Sequence, residues 1–155
     1  MVKAIALALL FVSVSGIAAQ PERAPDVTDD VLILDRASAL LADETRWNRK
    51  DTRECPPRTQ TMSLFCALHA ASIEVLGSYD HRRPALEEVR VAIEELSNGR
   101  KFEHRLMDFN NLPATTFADI KQVLGTARAR IAARARSTEP AQQPAPHDRA
   151  KKRGV

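Results

Sequence analysis

The stretch Thr61-Met-Ser-Leu-Phe-Cys-Ala-Leu-His-Ala-Ala-Ser-Ile-Glu-Val-Leu76, followed by Gly77, decides the fold. It is apolar around most of a helical circumference: Met62, Leu64, Phe65, Cys66, Leu68, Ala70, Ala71, Ile73, Val75 and Leu76 leave no polar stripe. A helix of that kind is buried on all sides, so the reading predicts that the others surround it. Gly77 is placed to end it, because glycine adopts the left-handed conformation that closes a helix. The segment before it, 48–59, is polar, basic and broken by Pro56-Pro57, and reads as a loop.

Further helices lie on either side. Asp29 or Asp30 can cap a first helix, with Val31, Leu34, Ala37, Leu40 and Leu41 at helical spacing and an end near 44–47. Pro84 suits a first turn, Leu86, Val89, Ile93 and Leu96 form a stripe, and Asn98-Gly99 stops that helix. Phe102, Leu106 and Phe109 suggest a short helical turn, whereas 108–113 reads as a loop. The last helix opens at Thr115 or Thr116. Thr116 with Asp119 three residues on resembles a capping box with Asp in place of Glu, and Phe117, Ile120, Val123, Leu124 and Ala127 form the expected buried face. Beyond Gly125 the helix turns to Ala and Arg, so its last turns reach water or another surface. With one Trp, one Tyr and abundant Ala, the fold class is all-α: a small bundle of about four helices with a disordered basic C-terminal tail.

The chain opens as an exported one. Met1-Val2-Lys3 is cationic, Ala4 to Val14 is uncharged and apolar, and Ser15-Gly16-Ile17-Ala18-Ala19 is a small-residue exit, the three regions of a signal peptide. The apolar run falls short of the roughly 20 residues that span a bilayer, so no membrane span is expected in the mature chain. The expected organisation is a signal peptide at 1–19, a linker at 20–28, a helical domain at 29–136 and a disordered tail at 137–155. The expected location is secreted or periplasmic.

Two places resemble a family of small helical bacterial and phage proteins of unknown function. One is Trp47 followed, across the polar loop, by Phe65-Cys66-Ala67-Leu68-His69-Ala70-Ala71. The other is Phe109-Asn110-Asn111 with Thr115 or Thr116, then Ile120-Lys121-Gln122-Val123-Leu124. The family pattern has Gly where His69 stands, Trp in place of Phe109 and Asp in place of Asn111. The resemblance covers about 29–130 and implies a helical fold with Cys66 as a small buried residue; it implies no activity.

Cys55 and Cys66 are the only cysteines, an even pair that an oxidising compartment would bridge if geometry permits. The alternatives are two free thiols, a thiol enzyme using Cys66, or a metal site of Cys55, Cys66 and His69 with His81 or His104. That spacing matches no zinc pattern, so no metal or cofactor is expected. Apolar neighbours would raise the Cys66 pKa and blunt it as a nucleophile. Glu87-Glu88 and Glu94-Glu95 read as the solvated side of their helix. The chain has no Gly-rich phosphate loop, no serine-hydrolase turn and no His-Glu-x-x-His helix. A non-enzymatic binding or interaction module is therefore the leading expectation, its partner a protein or small ligand.

The turn Asp108-Phe109-Asn110-Asn111 is the most distinctive polar feature, since Asn and Asp organise turns by folding back on the backbone. If Trp47 and Asn48 pack beside it, then Trp47, Asn48, Asn110 and Asn111 form the candidate ligand-binding pocket. Charge offers a second surface. Residues 20–120 carry 13 basic and 18 acidic side chains, a net of −5, and 121–155 carry nine basic and two acidic, a net of +7. The basic patch of Arg128, Arg130, Arg134, Arg136, Lys151, Lys152 and Arg153 would bind a polyanion or anionic surface, or serve only solubility.

Overall fold

A computed structural model describes residues 27–138. The expected leader, Lys151, Lys152 and Arg153 lie outside the described residues. Of the expected linker and tail, residues 27–28 and 137–138 fall within them, and both pairs are helical. The elements are α1 (Val27–Leu40), a 3-10 turn (Glu44–Arg46), α2 (Leu64–Leu76), α3 (Pro84–Leu96), α4 (Arg105–Asn111) and α5 (Phe117–Thr138). Among the described residues there are five α-helices and no strand. None of these helices is long and apolar enough to cross a membrane.

The layer order differs from the expected one. α1 packs on α2 and on α5, and α5 packs in turn on α3, so α1 and α5 form the centre. The short α4 leans on α2 and α3. Leu34, Leu64, Leu68, Leu86, Ile93, Ile120 and Leu124 fill the core, each essentially without solvent contact. Burying such a side chain contributes about 2 kcal/mol before the cost of ordering it. α2 sits at one side, with Ile73 44% exposed. Its apolar outer surface is covered by non-helical neighbours: Tyr79 stands edge-on to Phe65 at 6.0 Å, and the Cys55 loop reaches Cys66.

The helix ends show what local reading captures. Ser63 caps α2 by accepting from Cys66 N–H at 3.2 Å, and Gly77 closes it at φ +75°. Pro84 is the first residue of α3. Thr116 and Asp119 form the reciprocal capping box of α5. Two ends are closed from elsewhere. Asp30 lies inside α1, which starts at Val27, and does not cap its own helix. Its Oδ1 accepts from Ala85 N–H at 3.2 Å and from Arg83 Nε at 3.1 Å, capping α3, whose own N-cap, Arg83, cannot. The Lys121 ammonium of α5 donates to the Ser38 carbonyl at 3.1 Å and the Leu41 carbonyl at 3.4 Å, at the end of α1.

The segment 108–111, expected as a turn, is the second half of α4. Asn is a poor helix former, but here its side chains bond to other parts of the chain and not to their own backbone. Glu88 also departs from expectation. It is buried rather than solvated, because α5 crosses it and supplies Arg134 and Arg130.

Candidate functional site

The long connection from Trp47 to Ser63 is built around one asparagine. Asn48 N–H donates to the Met62 carbonyl at 2.9 Å and Met62 N–H to the Arg46 carbonyl at 2.8 Å, which closes the neck of the loop. Asn110 then takes hold of it from α4. Its Oδ1 accepts from the Trp47 indole at 2.7 Å and from Leu64 N–H at 3.0 Å. Its Nδ2 donates to the Asn48 carbonyl at 3.0 Å and to Asn111 Oδ1 at 3.1 Å. Asn111 in turn accepts from Asp51 N–H at 2.7 Å and donates to the Asp51 carbonyl at 2.9 Å. The structure thus brings Trp47, Asn48, Asn110 and Asn111 together. Asn110 is completely buried with both polar atoms engaged, and the Arg49 guanidinium lies over the Trp47 ring at 4.9 Å. Such a cluster braces a loop: the hydrogen-bonding capacity of Asn110, at its centre, is spent inward.

Cys55 and Cys66 form a disulfide, with Sγ atoms 2.12 Å apart. Both thiols are consumed, so the arrangement supplies neither a thiol nucleophile nor cysteine ligands. His69 stacks on Tyr79, with ring centroids 4.8 Å apart. No group of three or more potential metal ligands occurs among the described residues.

Beside the disulfide lies a feature that sequence reading missed, an open cleft of about 650 Å³ where the loop, the start of α2, the α2–α3 link, α3 and α4 converge. Phe65 and Tyr79 form an aromatic wall, Leu106 and Met107 line it from α4, and Arg53, Arg90 and Arg105 share it with Glu87 and Glu103. His81 and His104 also border it. Glu87 is committed to Arg90 at 3.0 Å and to Arg105 at 3.6 Å. Arg53 stands in a left-handed conformation, φ +63°, with its N–H donated to Asp51 Oδ1 at 2.7 Å. Asp51 is buried, and its second carboxylate oxygen has no hydrogen-bond partner among the described residues. Burial pushes the Tyr79 phenol above the ordinary tyrosine range, opposed by Arg90 and Arg53. These residues come from distant parts of the chain, so no short spacing marks them.

Among the described residues of the basic patch, three of the four arginines pair with carboxylates of the protein itself. Arg128 pairs with Asp35 (Nη2 to Oδ2, 3.0 Å), Arg130 with Glu95 at 2.6 Å, and Arg134 with Glu88. Arg136 is exposed.

No curated protein and no solved structure matches the chain. Its residues 25–130 span the five-helix body with its asparagine-braced loop from the start of α1 into α5, and over that length the chain matches and belongs to a family of unknown function, DUF6197.

Proposed function

We propose that this protein is an exported, non-enzymatic binding module whose ligand surface is the cleft between α2, α3 and α4. The cleft carries the reading. Its volume is within the usual range of ligand sites, and it combines an aromatic wall with a few convergent charged groups on a cross-linked frame. The Trp47, Asn48, Asn110 and Asn111 cluster is assigned the supporting role, because the polar atoms of Asn110 already bind Trp47, Asn48 and Asn111, and Asn111 holds Asp51. The closed disulfide supports a binding role over thiol chemistry. It also suits the export that the pattern of 1–19 suggests, since such bonds persist in oxidising compartments.

Titration of the ¹⁵N-labelled protein with a library of small fragments tests the binding role. The expected result is a contiguous set of shifted amides around Phe65, Tyr79 and Arg105. Shifts confined to Trp47, Asn48 and Asn111 would move the site back to the asparagine cluster. Intact mass of the native protein from fractionated cells tests the address. Export predicts a chain beginning at Ala19 or Gln20 and two hydrogens short of the reduced mass, whereas a full-length reduced chain in the cytoplasm overturns it.

Polyanion binding has less support. Three of its arginines already meet carboxylates of α1 and α3, which leaves the exposed Arg136 and the residues beyond it.

A further inference from the structure

We infer that the cleft is a site for a small planar aromatic anion, an aryl carboxylate or aryl phosphate, with Arg53 as the residue that receives the negative charge. This rests on the reading of the cleft as the binding surface and names its ligand class. Three observations converge on it.

The first is the charge balance within the lining. Three guanidiniums face two carboxylates, and one of those carboxylates, Glu87, is shared between Arg90 and Arg105. Arg90 Nη1 is further occupied by the His81 carbonyl at 2.9 Å. Among the described residues Arg53 meets no carboxylate, so the cleft retains one exposed cation whose planar fork suits a carboxylate or phosphate.

The second is how Arg53 is held. A non-glycine residue at φ +63° is unfavourable by itself and persists only where its surroundings impose it. Here Asp51 fixes the Arg53 N–H from one side, and the disulfide anchors the chain two residues on at Cys55. Asp51 is itself held by Asn111 of α4. The asparagine cluster therefore acts on the cleft by presenting Arg53 at its rim.

The third is the wall. Phe65 and Tyr79 stand nearly perpendicular, at 83°, and His69 backs Tyr79. Leu106 and Met107 add apolar surface to the lining. A flat ring gains from edge and face contacts there, while a bare inorganic anion would use the rim alone.

The test is a titration of the disulfide-intact ¹⁵N-labelled chain with four probes: 2-naphthoate, the neutral alcohol 2-naphthalenemethanol, the cation 2-naphthylmethylammonium, and acetate. The expected result is saturable shifts at Arg53, Phe65 and Tyr79 with 2-naphthoate, binding about ten-fold tighter than the alcohol. Arg53→Gly should remove that advantage, so that 2-naphthoate binds the variant no tighter than the alcohol binds the same variant. Glycine accepts the left-handed backbone and keeps the N–H that Asp51 holds, so the variant should fold at least as stably as the parent. Equal or tighter binding of the alcohol or ammonium in the cleft overturns the ligand class while leaving the cleft as a binding surface. Acetate binding as tightly as naphthoate overturns the aromatic requirement. No shift at the cleft with any probe overturns both readings.

Discussion

Replacing Asn110 with alanine would strand the Trp47 indole N–H and the Leu64 N–H, both in buried residues. At about 1–3 kcal/mol for each orphaned donor, Asn110→Ala should lower stability by about 3 kcal/mol in chemical denaturation. A loss below about 1 kcal/mol would mean that the cluster is not the brace described. Asp30 makes a different prediction. Burial raises its carboxyl above the ordinary aspartate range, against the opposing pull of Ala85 N–H and Arg83. A raised folded-state pKa means that its stabilising contribution is complete below the unfolded value and is lost as pH rises through the folded one. Asp30→Asn keeps an acceptor for Ala85 without that titration. Its stability relative to the parent should therefore increase as pH climbs from about 4 toward neutrality, as followed by denaturation at several pH values. A difference independent of pH would refute the assignment. At this scale the sequence was only partly legible. Residue type singled out Trp47, Asn48, Asn110 and Asn111 as a candidate ligand pocket, whereas the bonds that join Asn110 to Trp47, Leu64 and Asn48 link positions more than 40 residues apart.

Three helix ends were legible, because caps are local chemistry. The Thr116–Asp119 box, Gly77 and Pro84 each act within a few residues of where they stand in the sequence. Thr116→Ala removes the side-chain oxygen that accepts from Asp119 N–H on an exposed turn, and should cost about 1 kcal/mol in thermal or chemical unfolding. A neutral result would show that the amide is equally well served by water. α4 was not legible as a helix through Asn111 because its asparagines are helix-poor by intrinsic preference, and what holds them is tertiary. The position of α2 was misjudged for a related reason. An apolar circumference says that a helix must be covered, without saying that helices do the covering; here Tyr79 and the disulfide loop share that role.

Across the whole molecule, the disulfide ties the loop to α2, and the ion pairs of α5 join it to carboxylates of α1 and α3. The bond between Cys55 and Cys66 spans 11 positions of sequence, and closing a loop of that size stabilises by about 3 kcal/mol. Reduction should therefore lower Tm by about 12 °C for a body of this length, measured by calorimetry with and without reductant. An unchanged Tm would show that Asn110 and Asn111 alone hold the loop. The acidic body and basic last third were legible from charge counts, but their mutual neutralisation through Arg128, Arg130 and Arg134 was not, since it depends on α5 lying across α1 and α3. The cap that Asp30 places on α3 reaches across 55 residues of sequence. First-turn amides ordinarily exchange their hydrogens with solvent quickly, because nothing in the helix accepts from them. The amide of Ala85 can be freed only when α1 leaves α3, so it should exchange as slowly as the deepest core amides and report the opening of the entire bundle.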